Sequence, residues 1–194
     1  MYWKIIIPVV IAYLLGNISP SIILGKIHGI DIKKEGSGNA GTTNALRVLG
    51  KKAAFITLVI DIGKGVLAVI IGRLVGGAAV GYICALAVFC GHIWPCFYSF
   101  KGGKGVATAF GALLSVNWML GLAALAVVAA GLTLTQRMSV GSLFGAITFP
   151  ILCWLLEPDF IWIGSVMALI VLIKHRANIG RLLRGEEPKM SFKK

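Results

Sequence analysis

Long apolar runs separated by short polar segments dominate the chain, and their lengths predict membrane-spanning helices. A helix needs about 20 apolar residues to cross the hydrocarbon core of a bilayer. We therefore predict an all-α, polytopic membrane bundle of about seven transmembrane helices. The fourth run is short and rich in small residues, which suits a partial or tilted span, and five spans are the alternative. The predicted spans cover residues 2–24, 53–75, 78–94, 106–116, 118–135, 139–156 and 160–173.

Two of these spans contain features that hydrocarbon does not tolerate by itself. The first ends in a polar break at Pro20, whose missing N–H leaves a carbonyl of the preceding turn without its donor. The hydroxyls of Ser19 and Ser21 are the expected replacements. In the second span, Asp61 and Lys64 lie three residues apart on one helical face. Charges inside a span face a partner or a cavity, so this pair is a structural ion pair, the support of a nearby site, or both if Asp61 orients a lysine towards the site.

The composition excludes an ordinary soluble domain. Hydrophobic residues make up 58% of the 194 residues and charged ones 13%, whereas soluble domains are about 25% charged. The length suits one compact bundle, so we predict a single domain over residues 1–194. The net charge of +12 favours cytoplasmic loops beside anionic lipid over nucleic-acid binding. The four cysteines form no C-x-x-C pair and the acidic residues are scattered, so we predict neither a metal nor a cofactor.

The basic residues fall on alternate loops, which predicts the orientation. All except Lys4, Lys64 and Arg73 lie on the side of the bilayer where the carboxyl terminus ends. The opposite side carries Glu157 and Asp159. Because positive loops stay in the cytoplasm, we predict an outside N-terminus, a cytoplasmic C-terminus and every polar motif on the cytoplasmic face. The basic segments are residues 25–52, 95–105, 136–138 and 174–194.

The most polar stretch runs from Gly36 to Arg47 and predicts a phosphate-binding site. Glycines at this spacing would let backbone N–H groups converge on an oxyanion, and the polar side chains add donors. The G-x-G-x-x-G spacing is not a dinucleotide fingerprint here, because no hydrophobic strand precedes it. A helix is expected to begin near Thr42 or Thr43. The candidate ligands are Gly36, Ser37, Gly38, Asn39, Gly41, Thr42, Thr43, Asn44 and Arg47.

A second glycine-rich segment, Lys101-Gly102-Gly103-Lys104-Gly105, leads into a hydrophobic helix. It is not a Walker A loop, because Gly105 stands where a hydroxyl would hold magnesium. Glycines permit close approach of an anion, and the following helix N-terminus and Lys104 supply positive charge. We favour a second phosphate site over a plain cytoplasmic loop.

A third polar segment, Lys174 to Arg181, closes the last span. If it is helical, His175 and Asn178 share a face. A lone interfacial histidine is usually an amphipathic anchor. Beside two oxyanion-binding motifs on the same membrane face, His175 becomes a candidate base or hydrogen-bond donor.

Three classes of function remain at this point. The first is a membrane enzyme acting on phosphorylated substrates. The second is a small transporter or channel for anionic solutes, which would need polar groups near the bilayer midplane; only Asp61, Lys64 and His92 offer them. The third is a structural membrane protein, for which two anion-binding loops have no use.

With these motifs identified, essentially the whole chain resembles the bacterial acyl-phosphate:glycerol-3-phosphate acyltransferases, integral inner-membrane enzymes of phospholipid synthesis. The resemblance places the family's essential serine and arginine at Ser37 and Arg47. It matches the family's phosphate-binding loop to the segment from Gly91-His92 to Thr108, which includes Lys101, Gly102, Gly103, Lys104 and Gly105. It matches the family's third motif to the segment from Lys174 to Glu187. There His175 and Asn178 fall on residues important for activity, and Glu187 on a glutamate linked to integrity.

The resemblance implies transfer of a fatty acyl group from acyl phosphate to the 1-hydroxyl of sn-glycerol 3-phosphate, giving 1-acylglycerol 3-phosphate and phosphate. Arg47 and Lys104 are expected to hold phosphates, and Ser37, Asn39 and Asn178 to donate hydrogen bonds. The base is left open between His175 and the phosphate of the acyl donor. The expected partners are these two substrates and membrane lipid, with no nucleic acid and no obligate protein partner. The chain lacks the histidine-to-aspartate spacing usual in glycerolipid acyltransferases.

Overall fold

The computed structural model describes residues 2–190, and every element of regular structure in that range is helical. The end of the predicted basic tail, residues 191–194, lies outside the described residues. The helices are α1 (Trp3–Asn17), α2 (Pro20–Ile27), α3 (Thr42–Leu49), α4 (Lys51–Gly76), α5 (Ala78–Ile93), α6 (Val106–Val116), α7 (Trp118–Thr135), α8 (Met138–Leu156), α9 (Ile161–Lys174) and α10 (Arg176–Leu183). Short 3₁₀ turns lie at Cys96–Tyr98 and Pro158–Phe160.

By length and composition, five or six stretches of the described residues could cross a membrane, against about seven predicted. Five stretches within residues 2–190 are long and apolar enough, and a sixth is obtained if α9 and α10, bent by 53°, are counted as one span. Helix α6 has 11 residues, which gives about 16 Å at 1.5 Å per residue, about half of the hydrocarbon thickness. The count of about seven is therefore not confirmed, and the difference lies mainly at α6, the short run that the sequence marked as a partial or tilted span. The five stretches are Trp3–Ile27, Lys51–Gly76, Ala78–Tyr98, Trp118–Thr135 and Met138–Leu156.

The chain divides into two compact units, and the first ends at Val116. In this unit α1 packs on α5, and α4 packs on α5 and α6. Glycines allow the close approach: the Cα atoms of Gly16 and Gly91 face each other between α1 and α5. Gly65 and Gly111 play the same part between α4 and α6. Small residues in the spans thus serve close helix packing, as the sequence indicated.

The second unit begins at Asn117 and contains α7 to α10. The Asn117 side chain caps α7 by accepting from the backbone of Met119 at 2.9 Å. Its amide also donates to the Leu156 carbonyl at 3.0 Å, which joins the start of α7 to the end of α8. Helices α7 and α8 approach closely where Gly131 meets Gly141, and α9 packs on α8.

Candidate active site

The loop that carries the first polar motif is organised around a buried asparagine. Asn44 lies in the first turns of α3, and its side-chain oxygen accepts from the backbone N–H of Ser37 at 2.8 Å. Its amide donates to the carbonyls of Ile32 at 3.1 Å and Glu35 at 3.0 Å. Asn44, a candidate phosphate ligand in the sequence, therefore contacts the loop itself and holds residues 32–37 against α3.

Helix α3 begins at Thr42 and continues to Leu49, as the hydroxyl-rich stretch predicts. Gly36 and Gly38 have φ values of +60° and +68°, a left-handed conformation that a glycine adopts readily. Arg47 lies in the last turn of α3 and is partly exposed, as are Thr42 and Thr43 at its start. The side chain of Ser37 is exposed, so it is accessible to a ligand.

The second glycine-rich segment is held by the end of α5. The N–H of Gly102 donates to the Ile93 carbonyl, and that of Gly103 donates to the His92 carbonyl, both at 3.1 Å. A side chain at Gly103 would collide with the His92 ring and the Ala40 carbonyl. Gly105 has a φ of +83° and is followed at once by α6. These glycines are needed because the backbone passes so close to its neighbours.

The structure brings the first two motifs together at one end of the first unit. Gly103 passes so close to the Ala40 carbonyl that a Cβ at this position would collide with it, so the two loops lie side by side. A second link runs from Lys33, whose ammonium donates to the Tyr98 carbonyl at 3.1 Å and lies 5.5 Å from the centre of the Tyr98 ring. Burial lowers the pKa of Lys33, and the nearby charge of Lys101 lowers it further. Cations are thus concentrated beside the two loops.

The expected nest of glycine amides is not what the structure has. The N–H groups of Gly38 and Gly41 donate to the Glu35 and Asn39 carbonyls, both at 3.0 Å. Those of Ser37, Gly102 and Gly103 are also engaged within the protein. An anion held here would instead be bound mainly by side chains such as Arg47 and Lys104, and by the N-terminal turn of α6. The backbone amides that the sequence suggested as anion donors are thus engaged within the protein.

A buried ionic cluster lies within the first unit. The Lys64 ammonium is 2.8 Å from an Asp61 carboxylate oxygen and 2.9 Å from Nδ1 of His92. It also donates to the carbonyls of Gly16 at 3.1 Å and Ile18 at 2.6 Å. The donors at the break in the first span therefore come from Lys64, whereas Ser19 and Ser21 had been expected to supply them. These contacts show that the Asp61–Lys64 pair joins helices α1, α4 and α5, and they also place it against the His92 ring.

The third motif is organised around Glu187 in the second unit. This carboxylate is buried and accepts from the Ser139 hydroxyl, the Asn178 amide and the Arg181 guanidinium, each at 2.7 Å. Burial alone would raise the pKa of Glu187, but these three donors outweigh it and hold the pKa below its usual value. One donor of Asn178 is therefore used within the chain, where it fixes the orientation of the amide.

His175 stands at the bend between α9 and α10. The ring is buried, and its Nδ1 lies 2.8 Å from the Val171 carbonyl. A carbonyl only accepts hydrogen bonds, so Nδ1 carries the proton and the lone pair of a neutral ring is on Nε2. This tautomer suits a proton acceptor. His175 lies immediately before α10, on which Asn178 lies, and its carbonyl accepts from the Ile179 N–H at 2.9 Å.

Sequence reasoning missed two residues of this cluster. Ser139 donates to Glu187, and Arg137 donates to the Glu187 backbone carbonyl at 2.9 Å. Both lie at the start of α8, about 50 residues before their partner. The only signal was a basic residue and a hydroxyl opening an apolar helix, which topology alone explains equally well.

Comparison with known proteins decides the family. A family model described as glycerol-3-phosphate acyltransferase matches residues 6–185. The chain belongs to the glycerol-3-phosphate acyltransferase family. The glycerol-3-phosphate acyltransferase of Thermoanaerobacter pseudethanolicus is 44% identical over 97% of this chain and 96% of its own length. That of Clostridioides difficile is 46% identical over 97% of each chain.

A solved member of this acyltransferase family has the same fold. The crystal structure of PlsY (YgiH), an integral membrane glycerol 3-phosphate acyltransferase, in its glycerol 3-phosphate form has a TM-score of 0.91 at 32% identity. The alignment covers 96% of this chain and 95% of that one. The lysophosphatidic acid form of PlsY has a TM-score of 0.87. This acyltransferase is thus an integral membrane enzyme, and the match to the family extends through its first two polar motifs and most of the third.

Proposed function

We propose that this acyltransferase uses acyl phosphate as its donor and transfers the acyl group to the 1-hydroxyl of sn-glycerol 3-phosphate. The products are 1-acylglycerol 3-phosphate and inorganic phosphate. The observation that carries the proposal is the meeting of two cation-bearing loops at Gly103 and Ala40, in a chain whose family acylates glycerol 3-phosphate. Two phosphorylated substrates account for two such loops. The reaction would take place at the cytoplasmic face of the inner membrane, where a soluble acceptor and a lipidic donor meet.

In the proposed reaction the acceptor hydroxyl attacks the donor's carbonyl carbon directly. The new C–O ester bond forms, the bond between the carbonyl carbon and the oxygen that bridges to phosphorus breaks, and that oxygen departs in the phosphate with the electron pair. Arg47 and Lys104 bind phosphate groups and stabilise the developing oxyanion. Ser37, Asn39 and Asn178 donate hydrogen bonds. A single oxyanion donor of this kind contributes about 2.7–4 kcal/mol to such a transition state.

The hydroxyl proton has two possible acceptors. His175 is suited to the role because its Nε2 carries the lone pair when Nδ1 is bonded to Val171. The other is the phosphate of the donor, which could take the proton as it leaves. We assign His175 as the base, and the pH dependence of its alanine variant separates the two.

Transport of an anionic solute loses its support in this structure. A transporter needs polar groups that line a path near the midplane. The charges available there, Asp61 and Lys64, instead contact each other and the backbone at the break in the first span. Acyl transfer also needs no sealed membrane, so product formation in detergent distinguishes the two functions.

The donor is tested with purified protein in detergent, given glycerol 3-phosphate and either palmitoyl phosphate or a palmitoyl thioester. The proposal predicts 1-acylglycerol 3-phosphate from palmitoyl phosphate and none above background from the thioester. Product formation from the thioester but not from palmitoyl phosphate would contradict the proposed donor. It would not affect the assignment to the acyltransferase family. A Lys104→Ala variant, in which the proposed phosphate site is weakened, is assayed with both donors as a control.

A further inference from the structure

The Lys64 ammonium donates to a carbonyl that Pro20 leaves without its helical donor. In a continuous helix the N–H of residue 20 would donate to the carbonyl of Gly16, but Pro20 has no N–H. Lys64, from α4, donates to that carbonyl at 3.1 Å and to the Ile18 carbonyl at 2.6 Å. Its side chain is 2% exposed, so these contacts are made away from water. The break in the first span is thereby joined to α4.

The cluster continues from this break to α5. Asp61 lies 2.8 Å from the Lys64 ammonium and 3.3 Å from Nδ1 of His92. Nδ1 of His92 is also 2.9 Å from the Lys64 ammonium. The Nδ1 edge of the ring is thus occupied by the buried ion pair, which fixes the orientation of the imidazole.

The opposite edge of the same ring supports the second glycine-rich loop. Gly103 lies so close to Nε2 of His92 that a Cβ at this position would overlap it. The backbone of His92 holds the same residue, because its carbonyl accepts from the Gly103 N–H at 3.1 Å. Gly103 in turn lies against the Ala40 carbonyl of the first loop. One ring therefore connects the buried ion pair to the point where the two loops meet.

We propose that Asp61, Lys64 and His92 are positioning residues for glycerol 3-phosphate. The buried ion pair fixes the His92 ring, and the ring sets the distance between the glycine loop with Lys104 and the first loop with Arg47. This inference rests on the proposed function and goes beyond it, because it assigns control of acceptor binding to charges inside the helical bundle. A cluster that only joined helices would stabilise the fold without affecting the acceptor.

The test compares two variants of α4 that each remove a buried polar link. Asp61→Asn removes the charge that fixes His92. Arg73→Met is the matched control: Arg73 lies about 18 Å further along the same helix and donates to the carbonyls of Ser115 and Val116. Both variants are expected to lower the melting temperature. Only Asp61→Asn is expected to raise the KM for glycerol 3-phosphate, by about tenfold to a hundredfold, with the KM for palmitoyl phosphate unchanged.

A second variant keeps the test decisive if Asp61→Asn does not fold. His92→Gln leaves the ion pair in place and removes the ring beside Gly103, so it predicts the same selective rise in the KM for glycerol 3-phosphate. Folded variants with unchanged KM values for both substrates would overturn the proposal. So would an equal rise in the KM for glycerol 3-phosphate with Arg73→Met.

Direct binding of glycerol 3-phosphate, followed by calorimetry on the same purified proteins, separates this proposal from the proposed reaction. Absence of acyl transfer by wild type would refute the donor chemistry. Weaker binding in Asp61→Asn than in Arg73→Met would still support the positioning role, and equal binding would refute it. The two proposals can therefore fail independently.

Discussion

Two adjacent glutamates form ion pairs of the same length in very different surroundings. Glu187 lies 2.7 Å from Nε of Arg181, and its side chain is 4% exposed. Glu186 lies 2.7 Å from Nε of Arg184, with its side chain 57% exposed. If burial decides the contribution of an ion pair, Glu187→Ala and Glu186→Ala must differ greatly in stability, although the two ion-pair distances are the same.

The expected magnitudes follow from what each substitution leaves behind. Glu187→Ala removes the common acceptor of Ser139 and Asn178, which are both buried. Each buried donor left without a partner costs about 1–3 kcal/mol, whereas partly exposed Arg181 can turn to water. Two such donors, on Ser139 and Asn178, together cost about 2–6 kcal/mol. Glu186→Ala removes a solvent-screened pair and should cost about 0.2–1 kcal/mol.

The assay is thermal unfolding in detergent, followed by circular dichroism, with acyl transfer measured on the same samples. We expect Glu187→Ala to lower the melting temperature by about 10 °C, since 1 kcal/mol corresponds to about 2–4 °C at this chain length. Glu186→Ala should shift it by about 4 °C or less on the same scale. Equal shifts for the two variants would refute the reasoning, because exposure would then not determine the contribution of these pairs.

The pH dependence of this pair has a definite sign. Because the folded pKa of Glu187 is lowered, its contribution is fully present above the unfolded glutamate pKa of about 4.3. The contribution is lost as the pH falls through the folded pKa. The melting temperatures of wild type and Glu187→Gln should therefore converge on acidification in that range. A constant difference between them at all pH values would contradict the assignment.

Three further predictions concern the proposed site. Lys104→Ala should raise the KM for glycerol 3-phosphate in folded protein, and an unchanged KM would count against phosphate binding by this lysine. His175→Ala should flatten the acidic limb of the rate profile; a persisting limb with only a modest loss of rate would make the donor phosphate the base. Gly103→Ala should abolish activity because a Cβ meets His92 and Ala40, whereas Gly63→Ala, which meets nothing within 4 Å, should fold and remain active. Inactive Gly63→Ala would show that glycine loss in itself, and not the local clash, is harmful.

Local sequence signals located most of the helices. The predicted span at residues 118–135 corresponds to Trp118–Thr135, and the one at 139–156 corresponds to Met138–Leu156. Hydropathy gave these elements because apolar length and helix length coincide there. At α6 the predicted bounds, 106–116, also match the helix, but its 11 residues are about half of what a full crossing needs. Composition indicates what a helix contacts, and length indicates whether it crosses.

The sequence indicated the residue types of the candidate site but not the hydrogen bonds that these residues make with each other. Glycines and hydroxyls indicated the first loop, but nothing near Asn44 in the sequence indicated that it would bind Ile32 and Glu35. Pro20 indicated that a carbonyl of the preceding turn lacks its donor. The donor to that carbonyl, of Gly16, is Lys64, which lies 48 residues away in the sequence. Contacts at such separations depend on how helices pack, which short-range patterns do not encode. Ser139 was missed for the same reason.

The measurement that tests the account most directly is phosphate release by the purified protein given palmitoyl phosphate and glycerol 3-phosphate. The account predicts release only when both substrates are present, with one 1-acylglycerol 3-phosphate formed for each phosphate. Release without glycerol 3-phosphate would mean that water is the acceptor and the protein hydrolyses acyl phosphate. No release from folded protein would contradict the proposed reaction.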